Sequence, residues 1–249
     1  MVLKAWDELP YYLRCVAVRP YYDILVKHRA ALLQKRVFDV LLSSILIVVA
    51  SPLILISAVA IKLDNKGPVF FSQKRITQYG KPFSIYKMRT MVVGADKEGH
   101  LVTVSGDSRI TRVGKVLRKI KVDEFPQLLN VWKGEMTFVG TRPEVEKYVA
   151  MYSEEMMSTL LLPAGITSKA SIKYRDEDKM LEGSKDIDRD YVERVLPGKM
   201  KYNLEYLKYA GLWYDLSLIV KTAWLVIKRV FVRKDELITE ETVKNQIRV

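Results

Sequence analysis

The sequence predicts an α+β fold: a mainly helical single domain with a small β-hairpin or sheet, one kinked re-entrant membrane helix and interfacial amphipathic helices. Three observations lead there. Val40 to Ile61 runs without a charge, two β-prone stretches flank a turn at Tyr79-Gly80-Lys81-Pro82, and most of the chain from Arg112 to Val230 reads as helical segments. With 249 residues, 49% apolar and 28% charged, the chain can bury one substantial core.

Residues 1–34 carry Trp6, Tyr11, Tyr12, Tyr21 and Tyr22 among Arg14, Arg19, Lys27 and Arg29, a composition suited to an interfacial extension at the headgroups. Acidic residues and the late start of the apolar run argue against a secretory signal. Residues 35–66 hold the apolar run, which as a helix is about 33 Å long, near the hydrocarbon thickness of a bilayer. A single-pass anchor fits that length, but two features favour a re-entrant helix. Arg19, Lys27, Arg29, Lys35 and Arg36 precede the run and Lys62, Lys66, Lys74, Arg75 and Lys81 follow it, so the positive-inside rule does not separate its ends. Near its middle, Pro52 leaves the Val48 carbonyl without a helical donor, and Ser51 can satisfy the freed group. The expectation is a helix that enters one leaflet, breaks at Ser51-Pro52 and returns to the same face.

Residues 67–230 form the remaining domain, and 231–249 a polar tail. Val69–Gln73 and Phe83–Met88 read as a hairpin. The stretch 92–108, with Gly94, Gly99 and Gly106, reads as a mobile loop. Arg112–Lys121 and Glu124–Trp132 read as two short helices ending at Gly134, with Asp123 the N-cap of the second and Pro126 in its first turn. Glu144–Leu161, Asp188–Val195 and Asn203–Leu207 also read as helices. Trp213–Val230 is apolar around most of its circumference and suits a core or an interfacial position equally.

The balance of 41 Lys and Arg against 29 Asp and Glu, a net charge of +12, favours polyanionic partners. The single cysteine, Cys15, excludes an intrachain disulfide and a cysteine-ligated zinc site. The two histidines, His28 and His100, argue against Ser-His or Cys-His catalysis. Neither of the usual glycine-rich nucleotide cradles is present. Chemistry therefore falls to carboxylates and cations, and to one place above all: Asp123-Glu124 in the basic run Leu117-Arg118-Lys119-Ile120-Lys121-Val122. Arg109, Arg112, Arg118, Lys119, Lys121 and Arg142 stand around it in sequence. Successive helical residues point apart, so one carboxylate could attack phosphorus while the other holds Mg2+ and the cations neutralise the transferring phosphoryl group. Two plainer readings compete: an N-cap followed by a first-turn glutamate, worth about 1 kcal/mol, and a DNA-binding helix-turn-helix whose second helix would present Glu124, Phe125, Gln127, Leu128 and Asn130.

The order of motifs decides among these. Lys35-Arg36-Val37-Phe38-Asp39, the apolar run with Ser51-Pro52, Gly67-Pro68-Val69-Phe70-Phe71-Ser72-Gln73-Lys74-Arg75, Lys87-Met88-Arg89-Thr90-Met91, Asp107-Ser108-Arg109-Ile110-Thr111-Arg112-Val113-Gly114, Asp123-Glu124-Phe125-Pro126-Gln127-Leu128 and Val139-Gly140-Thr141-Arg142-Pro143 closely resemble the bacterial sugar transferase family, the monotopic polyprenol-phosphate phosphoglycosyl transferases, over roughly residues 35–230. The resemblance implies transfer of a sugar-1-phosphate from a UDP-sugar to polyprenol (undecaprenyl) phosphate, with release of UMP, as the first membrane step of glycan assembly. It implies Asp123 as nucleophile, forming a phosphosugar-aspartyl intermediate, and Glu124 as ligand to Mg2+. Arg75, Lys87, Arg89, Arg109, Arg118 and Arg142 fall in basic positions of its motifs and are expected as phosphate or structural contacts. Its implied partners are the UDP-sugar, polyprenol phosphate and membrane lipids, with no nucleic acid and with homo-oligomerisation left open. The implied location is the cytoplasmic face of the bacterial inner membrane, as a monotopic protein with Ser51-Pro52 at the helix break. The alternative is a basic membrane-anchored scaffold or nucleic-acid-binding protein with an inactive dyad.

The chain departs from the family pattern in four places. Lys121-Val122 precedes the dyad where Ser-Leu is frequent, Thr77 stands in a usually glycine-rich turn, and Thr141 replaces the first proline of Gly-Pro-Arg-Pro. The run Pro163-Ala164-Gly165-Ile166-Thr167-Ser168-Lys169-Ala170-Ser171 and the following Ile172-Lys173-Tyr174-Arg175 differ from the family's Pro-Gly-Ile-Thr-Gly-x-Ala-Gln and its polar sequel, which points to an unusual donor sugar if that region selects it.

Overall fold

The structure, a computed structural model, describes residues 3–95, 107–184 and 186–231. Helices α1 (Arg19–Lys27) and α2 (Arg29–Asp64) lead into strands β1 (Phe70–Ile76) and β2 (Pro82–Met88). Then come α3 (Arg112–Lys119), α4 (Gln127–Lys133), β3 (Met136–Val139), α5 (Glu146–Val149), β4 (Ala164–Thr167), α6 (Lys169–Lys173), α7 (Glu177–Met180), α8 (Ile187–Asp190), α9 (Leu196–Tyr209) and α10 (Leu212–Phe231).

The hairpin forms as its β-prone residues predict, β1 antiparallel to β2 with Phe70 opposite Met88 and Ile76 opposite Pro82. Thr77, the unusual residue at its tip, donates its hydroxyl to the Glu135 carbonyl at 2.6 Å and accepts the Ala164 amide at 3.1 Å, tying the hairpin to β4. β3 and β4 pair in parallel, Met136 opposite Ala164 and Val139 opposite Thr167. Beyond β3, Gly140 and Gly165 pass so closely that a Cβ on Gly165 would collide with the Gly140 backbone. This contact requires glycine in both motifs and delivers Thr141-Arg142 from the end of the strand.

α2 is helical throughout, including Ser51-Pro52, where a break is expected from the sequence. The Ser51 hydroxyl donates to the Val48 carbonyl at 2.8 Å, satisfying the group that Pro52 leaves bare. The Lys35-Arg36-Val37-Phe38-Asp39 motif is a docking strip near the start of α2. Lys35 donates to the Val139 carbonyl at 2.8 Å and pairs with Asp215 of α10. Arg36 donates to the last carbonyls of α4, Val131 at 2.7 Å and Trp132 at 2.8 Å. Phe38 meets Phe138 edge-on, and Asp39 accepts the Thr137 hydroxyl and the Phe138 amide. At the other end, Ile61 packs with Met88, Leu117 and Val122, and Asp64 accepts the Val113 amide at the start of α3. Between these anchors the helix is inside out: Ser43, Ala50 and Ser57 are buried, while Ile45, Val48, Val49 and Ile56 face outward, Val48 at 72% exposure.

Residues 3–28 pack into the main core through Leu3, Leu9, Leu13, Val18, Tyr22 and Leu25, joining an aliphatic layer with α4, β3 and α9. Several sequence expectations are corrected. Asp123 is not a helix N-cap: it sits inside a 3-10 turn, Val122–Glu124, and α4 begins only at Gln127. Nor does Glu144–Leu161 form one helix. It splits into α5 and a 3-10 segment, Met156–Leu161, because Ser153 takes the Met156 amide on its own hydroxyl and turns the chain. Asp188–Val195 is helical but widens to a π-turn over Tyr191–Val195, just ahead of Pro197, whose missing N–H cannot serve an ordinary helical turn there. The helix-turn-helix alternative fails, since Gln127, Leu128 and Asn130 are buried and cannot face a groove. Most of the expected loop at 92–108 lies outside the described residues, as does the expected tail 231–249 except Phe231, which closes α10; at the loop's base Met91 bridges Ile110.

Candidate active site

Between α3 and the dyad turn, Lys121 takes a left-handed backbone, φ 61°, at a cost of about 1–2 kcal/mol for a residue with a Cβ. The turn is held down by Val122, 3% exposed among Ile61, Met88 and Leu117. The tight turn gives the two adjacent carboxylates different surroundings. Asp123 is 7% exposed and its Oδ1 has no hydrogen-bond partner among the described residues. Burial first, and repulsion from Glu124 second, raise its carboxyl above the usual range. Glu124 lies 3.6 Å from Lys121 Nζ, 3.6 Å from an Arg142 guanidinium nitrogen and 3.9 Å from Lys87 Nζ. Burial alone would raise it, but Lys121, Arg142 and Lys87 outweigh burial and hold it well below the usual carboxylate range.

The cations respond in turn. Burial pushes the Lys87 ammonium down to about 8 against the pull of Glu124. Burial also lowers the Arg118 guanidinium, which faces Asp123 and is steadied by donating to the Thr90 hydroxyl at 2.8 Å. Of the six basic residues singled out in sequence, Lys87, Arg118 and Arg142 therefore gather at the dyad. The other three point to structural partners. Arg75 binds the Gln73 side chain and the Pro143 carbonyl and lies 4.0 Å from Glu144. Arg89 donates to the Asn65 and Lys66 carbonyls at 2.6 and 2.8 Å, closing the end of α2. Arg109 pairs with Asp107 at 2.7 Å and donates to the Ala95 carbonyl.

Glu124, Lys121 and Arg142 open onto a cavity of about 590 Å³. Its lining combines the aliphatic Leu46, Val49, Ala50 and Leu53 of α2 and Leu225 and Val226 of α10 with Tyr174, Arg175, Glu177 and Lys199. Asp123 is not among the lining residues. Sequence reasoning assigned no role to Glu177 or Lys199; the altered stretch at 172–175 was the one hint of this wall. Among the described residues there is no group of three or more His, Cys, Asp or Glu side chains close enough to hold a metal. A divalent cation at the dyad would thus take most of its oxygens from phosphate and water, which suits Mg2+, and the ionised Glu124 and unpartnered Asp123 Oδ1 fit such an ion.

A sequence model of the family described as bacterial sugar transferase matches residues 30–229. The chain is 36% identical over 191 residues to the UDP-N-acetylgalactosamine-undecaprenyl-phosphate N-acetylgalactosaminephosphotransferase of Aeromonas hydrophila, covering 76% of this chain and 42% of that protein. It is 35% identical over 193 residues to the UDP-glucose:undecaprenyl-phosphate glucose-1-phosphate transferase of Caulobacter vibrioides, covering 76% and 68%. It is 31% identical over 213 residues to the protein of the same description from Escherichia coli K12, covering 84% and 43%. The matched stretch thus spans less than half the length of the Aeromonas and Escherichia proteins.

Proposed function

This chain belongs to the bacterial sugar transferase family, and from that premise we propose that it transfers a sugar-1-phosphate from a UDP-sugar to undecaprenyl phosphate at the cytoplasmic face of the inner membrane. The observation that carries the reading is the dyad itself: a buried carboxylate whose Oδ1 has no hydrogen-bond partner among the described residues, beside one ringed by three cations on a cavity partly lined by aliphatic side chains.

In the proposed reaction an oxygen of ionised Asp123 attacks the phosphorus that carries the sugar. The bond from that phosphorus to the bridging oxygen breaks and UMP leaves with that oxygen. An oxygen of polyprenol phosphate then attacks the same phosphorus, the bond to Asp123 breaks, and the carboxylate is regenerated. Desolvation makes Asp123 a more basic, more reactive oxygen than an exposed aspartate. Lys121, Arg142 and Lys87 hold the developing phosphate charge, already oriented by Glu124. Glu124, with Asp123, would hold Mg2+, which when bound draws charge from phosphate oxygens.

The proposed membrane placement rests on α2. Arg36 and Asp64, near its two ends, both bind the same globular body, which favours a helix with both ends on one side of the bilayer. The outward-facing aliphatic residues between them support a helix that dips into one leaflet and returns.

The test is intact-mass measurement of wild type and Asp123→Asn after incubation with Mg2+ and a panel of UDP-sugars without lipid acceptor. The expected result is a phosphosugar adduct on wild type alone. UMP release that needs polyprenol phosphate and never accompanies an adduct would replace the covalent scheme with direct transfer.

A further inference from the structure

The cavity has three kinds of wall, and two are matched by the proposed substrates. The aliphatic lining from α2 and α10 suits a polyprenyl chain, and Lys121 and Arg142 beside Glu124 suit phosphates. The third, from α6, α7 and the turn between them, carries the Tyr174 ring and the Glu177 carboxylate, with Arg175 between them donating to Asp176 at 3.0 Å. We propose that Tyr174 and Glu177 read the sugar ring of the nucleotide donor, with Gly198 and Lys199 of α9 as positioning residues; this rests on the transferase reading.

The chemistry of the wall selects that ligand. Glu177 repels phosphate but accepts hydrogen bonds from hydroxyls, and a tyrosine ring offers its face to the C–H side of a sugar. Glu177 takes the Lys199 ammonium at 3.0 Å on Oε2, which leaves acceptor capacity on a group with about four lone-pair sites. Lys199 is 3% exposed, and its ammonium faces three protein acceptors: Glu177, the Tyr191 hydroxyl at 2.8 Å and Glu144 at 3.6 Å. Buried, donating two hydrogen bonds to protein and ion-paired to a second carboxylate, it serves to orient Glu177. The neighbouring residue does the same for Tyr174 by steric means. A Cβ at Gly198 would collide with the Tyr174 hydroxyl, so the ring keeps its seat, edge-on to Tyr202, only because α9 has no side chain there. Gly198-Lys199 thus sets both groups of the wall.

The experiment compares wild type, Glu177→Gln, Tyr174→Ala and Gly198→Ala, each first checked for a cooperative melt. Calorimetric binding of UMP and of UDP-glucose, UDP-galactose and their N-acetylated counterparts is measured, then transfer to polyprenol phosphate. Glu177→Gln is expected to weaken the preferred UDP-sugar by about 10- to 100-fold, the worth of a hydrogen bond to a charged group, and to change the ranking of the epimeric donors. UMP affinity stays within about twofold. Tyr174→Ala and Gly198→Ala shift the same ranking, the latter without removing any group from the cavity. An equal loss for UMP assigns the wall to uridine and overturns the proposal, as does an unchanged ranking in all three variants. A wild type that binds no UDP-sugar overturns the transferase reading, and this inference with it.

Discussion

The Ser51 hydroxyl rests on the Val48 carbonyl, one helical turn back, at the carbonyl that Pro52 deprives of its donor. A proline in the middle of an apolar helix is tolerable in lipid only if some other group makes that bond. Ser51→Ala should therefore cost about 1–3 kcal/mol, the penalty for an acceptor left unmet in lipid, read from denaturant unfolding in lipid nanodiscs. Adding Pro52→Ala restores the backbone donor and should recover most of the loss. In a Cys15→Ser background, single cysteines placed at Lys27 and at Lys119 should both react with an impermeant reagent added from the same side of sealed vesicles; labelling from opposite faces would sink the re-entrant reading.

Asp123 holds a charge in a poor place for it, and stability should show this. Its carboxyl is raised in the folded state, so folding favours the protonated form. The cost is absent below the unfolded carboxylate range and grows as pH rises through the unfolded value toward the folded one. At neutral pH, Asp123→Asn removes the cost and should raise the melting temperature while abolishing transfer. A lower melting temperature would mean that Asp123 has a structural partner.

Lys87 sets an alkaline limit. Its ammonium is pushed down to about 8 by burial, so it loses its proton as pH rises through that value and, in the proposed reaction, its hold on phosphate with it. The rate of transfer at low UDP-sugar should fall with an apparent value near 8, and Lys87→Arg should retain activity beyond it, because the guanidinium does not deprotonate there. An unchanged alkaline limb in the variant would assign it to another group.

The Lys35–Asp215 pair joins α2 to α10, with Tyr206 donating to the same carboxylate at 2.9 Å. Both ions are almost wholly buried. Lys35→Met leaves Asp215 uncompensated and should cost about 3–5 kcal/mol, while Lys35→Met with Asp215→Leu should recover much of it. Additive losses in the double variant would show that the two side chains do not act as a pair.

Some of this architecture was legible because it depends on neighbours in sequence. The hairpin follows from β-prone runs and a turn, and α2 from an uncharged stretch. The pairing of Ser51 with the carbonyl bared by Pro52 follows from helix geometry alone. The helix expected across Glu144–Leu161 failed where a serine side chain offered the backbone a competing bond. The N-cap assignment failed because Lys121 turns left-handed, a backbone state that a lysine does not advertise.

By itself, then, the sequence determined the hairpin, the long apolar helix, the Asp123-Glu124 pair and, through the order of its motifs, the family. Tertiary structure decided which cations serve that pair. Lys87 comes from the end of β2, Lys121 from the turn after α3 and Arg142 from beyond the Gly140–Gly165 contact, while Arg89 closes α2 and Arg109 turns to Asp107. It also placed Glu177 and Lys199, which no motif marks, on the same cavity. The reason is the range of the forces: helix and turn preferences act between residues a few positions apart, whereas an ion pair or a shared cavity wall depends on distances in space, which are set only when the core has packed.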